Sequence, residues 1–359
     1  MQTVSSGIRW WFESLDQARK RRGNAMDQLG YGPTESPCRT ALSSPGVRLR
    51  FYGGNPASNS IALIVPAPIK RHYIWDISPE CSVVQHAMRE DMQVYLAEWT
   101  EPLEEQSELG LADYAYTLLD RCVRAIRTTH PSGQLFLLSH SLGGIFAAIY
   151  AALRPEQVAG LVLVETPLHF GSASGAFAPL ISFGPPADKV ARLFDNVPGS
   201  VLNMASVMAS PATFHVERIG DFVASLGSSR TLRTHMLVER WTLDESPLPG
   251  RLFEQVVEDL YRRDSLMRGT LSVAGRTVSP KDVSAPLLAV YDPHSVVIPP
   301  DSVIAFHDAA ASRQKRLLAY EGDTGVALAH VGALMGENAH RRLWPEIFAW
   351  LGVVGGRGH

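Results

Sequence analysis

The sequence predicts an α/β chain, a mostly parallel, doubly wound sheet with a helical cap inserted past its middle. Three observations carry that expectation. Short, nearly all-apolar runs alternate with helical stretches over residues 47–165, the pattern of parallel strands covered on both faces. One of those runs, LFLL, breaks off at Ser139-His140-Ser141-Leu142-Gly143-Gly144 and restarts at once as an Ala/Ile-rich helix. The rhythm then lapses over residues 170–280 and resumes toward the end of the chain.

Residues 1–46 read as a helix and a loop. Over 9–29, Trp11, Leu15 and Ala18 fall near one face and Lys20, Arg21 and Arg22 near the other, so a helix docked by its apolar stripe is expected. Residues 30–46 are rich in Pro, Ser and Gly and read as loop. Strands are expected at 47–53, 61–68, 92–99, 134–138, 158–165, 285–292 and 314–322, and helices at 82–91, 111–130, 143–155 and 338–351. The core thus comprises 47–170 and 281–359. Residues 171–280 hold helical stretches (GDFVASLG, GRLFEQVVEDLYRRDSLM) without strand alternation, and are expected to form a cap over the strand ends.

The 359 residues suffice for one large domain with a cap. A net charge of -3 provides no basic field, so nucleic acid is not an expected partner. No stretch reaches the ~18–20 apolar residues of a membrane span, and the N-terminus has no apolar signal core. Cys38, Cys81 and Cys122 are scattered, without CxxC spacing, as in a reduced cytoplasmic protein. No metal cluster, phosphate-cradling Gly loop or nicotinamide fingerprint is present, so no cofactor is expected.

The Ser/Gly knot carries the chemistry. Strand, small-x-Ser-x-Gly, then helix is the pattern of a nucleophile elbow, whose tight turn lifts the Ser141 hydroxyl clear of the sheet. It also aims the Leu142 N–H at the same space, beside a helix N-terminus that favours negative charge. A second oxyanion donor should come from the loop after IALIV. Pro66 and Pro68 lack an N–H, which leaves Ala67 or Ile69 favoured, with Lys70 open. The base is expected after the last strand, in the small-residue stretch DTGVALAHVGALMG, as His330. Two carboxylates at strand ends compete to orient it, Glu165 closing GLVLVE and Asp292 closing APLLAVYD; a Ser–His dyad without a carboxylate is the third possibility. His72 and Tyr73, after the oxyanion loop, and Trp241, in the cap, are candidates for substrate contact. His140 and His169 flank the site strands and are expected to be structural.

Over roughly residues 47–350 the chain resembles the polyhydroxyalkanoate synthases, within the α/β-hydrolase superfamily. The resemblance rests on IVPAPIKRHYIWDISPECSVVQHAMREDMQVYLAEW, LADYAYTLLDRCVRAI, the elbow, AALRPEQVAGLVLVETPLHF, FEQVVEDLYRRDSLMRGTLSVAGRTV, PLLAVYDPHSVVIPP and the AHVG around His330. It implies the α/β-hydrolase fold and a pocket for acyl chains carried as esters or thioesters, of β-hydroxyacyl or polyketide type, with a small-molecule or carrier-bound acyl substrate. Two positions depart from it. Ser141 stands where the synthases have their nucleophilic Cys, and Ser295 where they have the acid Asp; His330 matches their base. A thiolate suits repeated thioester exchange, whereas a serine must be deprotonated at each attack. The expected activity is therefore serine-dependent acyl transfer, by hydrolysis or lactone formation. The alternatives are a lyase that eliminates an acyloxy group such as acetate, and a non-catalytic acyl-binding protein.

Overall fold

The computed structural model describes residues 2–356. Its centre is an eight-stranded sheet of β1 (Arg39–Ser44), β2 (Val47–Gly53), β3 (Ser60–Val65), β4 (Gln93–Trp99), β5 (Gln134–His140), β6 (Gly160–Val164), β7 (Leu287–Tyr291) and β8 (Lys315–Ala319), in the order β1-β2-β4-β3-β5-β6-β7-β8. β2 runs antiparallel to both β1 and β4, and every other pairing is parallel. This is the expected doubly wound α/β architecture. The central strands are buried on both faces: all six residues of β3 and all five of β6 are inaccessible. That is why they read as unbroken apolar runs.

Helices cover the sheet on both sides. One layer holds α3 (Leu119–Thr129) and α4 (Leu142–Leu153), where Tyr114 and Phe146 pack on Trp99. The other holds α2 (Val83–Arg89) and α13 (Trp344–Val354), where Trp344 stands edge-on to Trp75. Between β6 and β7 the chain builds the cap from α5 (Ala178–Phe183), α6 (Ala187–Phe194), α7 (Gly199–Ala209), α8 (Arg218–Ser225), α9 (Ser229–Thr242) and α10 (Gly250–Gln255). It then returns through α11 (Pro300–Ala309) and, after β8, α12 (Gly332–Met335).

Four local readings change. Residues 39–44 form the edge strand β1, not a loop; its side chains are largely exposed, so no alternation marked it. Joining it to β2 is a two-residue Pro45-Gly46 turn, whose glycine takes φ +89°. β3 stops at Val65, because Pro66 has no donor with which to continue the ladder. Within 170–280, Leu271–Val273 and Arg276–Val278 pair as a hairpin, turned by Ala274 and Gly275 at φ +50° and +76°. Its Leu271, Val273 and Val278 join the apolar layer of α4. Finally, α1 (Gln2–Met26) docks by Phe12, Asp16, Arg19 and Met26; Trp11 and Ala18 face solvent. Two of those docking residues are polar and bond the cap, Asp16 accepting from the Ser200 N–H at 2.8 Å and Arg19 pairing with Glu245 at 2.6 Å. Apolarity alone could not reveal such a face.

Trp344 links α13 to the segment after His330, since its indole N–H donates to the Ala333 carbonyl at 2.8 Å and its ring is fully buried. Trp344→Ala should cost about 3–5 kcal/mol, from the lost ring and the carbonyl left without its donor, and chemical denaturation with an unchanged m-value would read it.

Candidate active site

β5 ends at His140, and the chain reverses into α4 through Ser141, which has φ +53° and ψ −133°. Few non-glycine residues adopt that backbone, and it is held by packing on both sides. The Ser141 N–H donates to the Val164 carbonyl of β6 at 3.1 Å, and the Ser141 carbonyl accepts from Gly144 at 2.9 Å. Ser139 lies within β5, two residues before Ser141. It is wholly buried, and its hydroxyl donates to the Val162 carbonyl at 2.9 Å, so its extra oxygen is satisfied. The two glycines after Leu142 are required by proximity. A Cβ on Gly143 would stand 2.2 Å from the Val65 carbonyl and 2.6 Å from that of Pro66, and one on Gly144 would stand 2.0 Å from the Thr166 hydroxyl. The first turn of α4 therefore presses against the ends of β3 and β6 together. Gly143, the residue after Leu142, thereby lies against the Val65 and Pro66 carbonyls.

His330 lies in a short turn (Ala329–Val331) before α12. Its Nδ1 is 3.1 Å from Oε2 of Glu165, the residue that follows β6. Glu165 has φ +41° and is 1% exposed, and its other oxygen is buried without a hydrogen-bond partner among the described residues. Burial, with the Asp292 carboxylate as a second contribution, pushes the Glu165 carboxyl well above its usual value. Burial likewise pulls the His330 imidazole down to about 4, against the opposing pull of the Asp292 charge. Asp292 is thus an electrostatic neighbour of the pair. Its Oδ1 is bound by the His294 N–H at 2.8 Å. Ser295 accepts from the Ile298 N–H at 3.0 Å, a turn-forming role.

His140, which sequence reasoning set aside as structural, ties the two halves together. Its Nε2–H donates to the His330 carbonyl at 2.8 Å, and the two rings lie 4.4 Å apart. Burial and the neighbouring His330 hold its pKa well below the usual imidazole range, so it acts as a neutral donor. The residue beside Ser141 therefore anchors the loop that carries His330. Adjacency to the elbow was the only available signal, and it names no partner.

Ala67 and Ile69 are half-buried against the α4-side apolar layer. The three candidates for substrate contact are engaged elsewhere. His72 is buried 3.0 Å from Glu35, in a charged cluster with Arg50 and Glu98. The Tyr73 hydroxyl donates to Asp244 at 2.7 Å, and the Trp241 indole N–H to the Arg71 carbonyl at 2.8 Å. The latter two join core to cap. A cleft of about 520 Å³ opens on the His330 side, lined by Asp292, Ser295 and His330 from the core and by Thr213 and Glu217 from the cap. His169 pairs instead with the buried Asp264 at 2.8 Å. Among the described residues no group of three or more His, Cys, Asp or Glu side chains could hold a metal ion, and no helix is long and apolar enough to cross a membrane.

A family model described as alpha/beta hydrolase fold matches residues 8–189, and one described as serine aminopeptidase, S33, matches residues 112–323. The chain is similar to the poly(3-hydroxyalkanoate) polymerase subunit PhaC of Haloferax mediterranei, at 29% identity over 93% of this chain and 67% of that one. It is similar also to PhaC of Allochromatium vinosum, at 27% identity over 94% and 96%. Among solved structures it shares its fold with a monoacylglycerol lipase of Paleococcus ferrophilus, with a TM-score of 0.56 and 14% identity over 86% of this chain and 99% of that one. A monoglyceride lipase of Saccharomyces cerevisiae gives 0.56 and 13%, over 90% and 95%.

Gly143→Ala forces a methyl into two backbone carbonyls that cannot move aside. It should destabilise the fold by about 1–3 kcal/mol or more and lower the Tm in a thermal melt. NMR of the resting protein should find the His330 imidazole neutral well below pH 6.5, gaining its proton close to pH 4. The sign for stability follows. An unfolded chain takes up this proton first, so the contribution of His330 makes folding less favourable as pH falls from 6.5 toward 4.

Proposed function

Because the chain belongs to the α/β-hydrolase fold family, as a polyhydroxyalkanoate synthase-like member and hence an acyl-transferring or hydrolytic enzyme, we propose that Ser141 is its nucleophile toward the carbonyl of an acyl ester or thioester. The Ser141 Oγ adds to the carbonyl carbon while His330 takes its proton through Nε2. Glu165, at Nδ1, orients the ring and stabilises the imidazolium that forms. The developing oxyanion sits between the N–H of Leu142 and that of Ala67 or Ile69. The tetrahedral intermediate collapses to an acyl-Ser141 ester, and the leaving alcohol or thiol takes the proton back from His330. Water, or a hydroxyl group of the acyl chain itself, then attacks the ester with His330 again as base. The first gives an acid, the second a lactone.

One observation carries this reading above the others: the left-handed backbone of Ser141 occurs next to His140, whose ring is bonded to the loop holding the His330–Glu165 pair. Glu165 is the orienting carboxylate in this reading, because it is the one in contact with the imidazole; Asp292 tunes the charge of the pair from beside it. With a hydroxyl nucleophile in place of a thiolate, a single transfer fits better than repeated chain extension. The acyl group is of β-hydroxyacyl or polyketide type, by likeness to the polymerase relatives.

A serine-directed fluorophosphonate should add its mass to the peptide containing Ser141, and Ser141→Ala should lose at least about 10³-fold in kcat. Full turnover in Ser141→Ala would replace the acyl-enzyme with base-only elimination by His330. Glu165→Gln should cost about 10²–10⁴-fold in kcat, against about tenfold or less for Asp292→Asn; the reverse order would make Asp292 the orienting group.

A further inference from the structure

We propose that residues 241–246 of the cap clamp the oxyanion loop in its working position, with Lys70 and Glu245 as positioning residues of that loop. This rests on reading Ala67 or Ile69 as an oxyanion donor. The loop needs an external hold. It leaves β3 through Pro66 and Pro68, which offer no N–H for a strand ladder, so little local hydrogen bonding can fix it. One side is held within the core, where the Pro66 carbonyl accepts from the Trp99 indole at 2.7 Å. The other side is bonded to the cap. The Ile69 carbonyl accepts from the Ser246 N–H at 3.1 Å, the Lys70 ammonium donates to Glu245 at 2.5 Å and to the Thr242 carbonyl at 2.7 Å, and the Arg71 carbonyl accepts from Trp241 at 2.8 Å. Three successive residues thus reach a single cap segment. Because the φ of Pro68 is fixed by its ring, holding the carbonyl of residue 69 leaves few torsions free to turn the Ile69 N–H.

Glu245 is the hub. Its side chain is 3% exposed, and besides Lys70 it takes Arg19 of α1 at 2.6 Å and Asn203 of α7 at 3.0 Å. The Lys70 ammonium also lies 5.2 Å from the Trp241 ring centre. Burial draws its pKa down to about 8 even with the Glu245 carboxylate beside it. A lysine kept charged at that cost needs its carboxylate, so removing either partner frees the loop. An oxyanion donor displaced by about 1 Å loses on the order of 10²-fold in rate without losing substrate affinity.

The test uses the full chain with Glu245→Gln, Lys70→Met, Lys70→Arg and Trp241→Phe. Amide hydrogen exchange in the peptide covering residues 67–71 should speed by about tenfold or more in Glu245→Gln and Lys70→Met, with the β5 peptide unchanged. With p-nitrophenyl butyrate, kcat should fall about 10–100-fold while KM stays within about threefold, and Lys70→Arg should keep most of the rate. The double variant Lys70→Met/Glu245→Gln should lose no more than the worse single one, since both break the same contact. Wild-type exchange in a folded Glu245→Gln protein overturns the clamp. A wild-type protein that neither hydrolyses the ester nor takes the fluorophosphonate would instead overturn Ser141 as nucleophile, and the exchange rates still decide the clamp. Trp241→Phe, which removes the Arg71 bond and keeps an aromatic ring near Lys70, carries the same comparison if Glu245→Gln does not fold.

Discussion

The left-handed backbone at Ser141 is the feature on which the remaining geometry depends. Such a conformation costs a non-glycine residue about 1–3 kcal/mol, and nothing in the serine itself repays it. It persists because β5 and α4 are locked from both sides: every residue of α4 is buried, and its first turn fits against two strand ends only because residues 143 and 144 carry no Cβ. The same approach that forces the turn brings Gly143, the residue after Leu142, against the Val65 and Pro66 carbonyls and Ser141 next to the end of β6. Residues 141, 142 and 165 are thus placed together by one packing contact.

The second constraint is electrostatic. Ser295 bonds the backbone of its own turn, and the imidazole of His330 turns to the neighbouring strand end. Glu165 follows β6 in contact with His330, while Asp292 follows β7 and bonds the backbone of its own turn. Two carboxylates close together cannot both be charged cheaply in a buried place. The one deepest in the fold, Glu165, is the one whose ionisation is suppressed.

How far the sequence could be read depended on whether a feature was local. The central strands were legible because burial on both faces leaves an apolar run, and the elbow because its serine and glycines are contiguous. His330 was singled out by chain order after the last strand, and its contact with Glu165 is what the structure adds. The choice between Glu165 and Asp292 was not legible, since both sit at strand ends and only register decides which faces the ring. His140 was invisible for a related reason: its partner is a backbone carbonyl, which no residue type betrays. The docking face of α1 was misread because Asp16 and Arg19 bond the cap where an apolar stripe was expected. The strand at 39–44 was missed because an exposed edge needs no alternation.

The order of the parts along the chain has its own consequence. Ser141 and Glu165 lie on adjacent strands before the six cap helices, and His330 arrives only after them. Ser141 and Glu165 therefore precede the cap in the polypeptide, but the Glu165 N–H is bonded only once β7, which follows the cap, has docked on β6 through Val290. The cap is therefore no free attachment: residues 241–246 hold Ile69, Lys70 and Arg71, so any replacement of it has to keep those bonds.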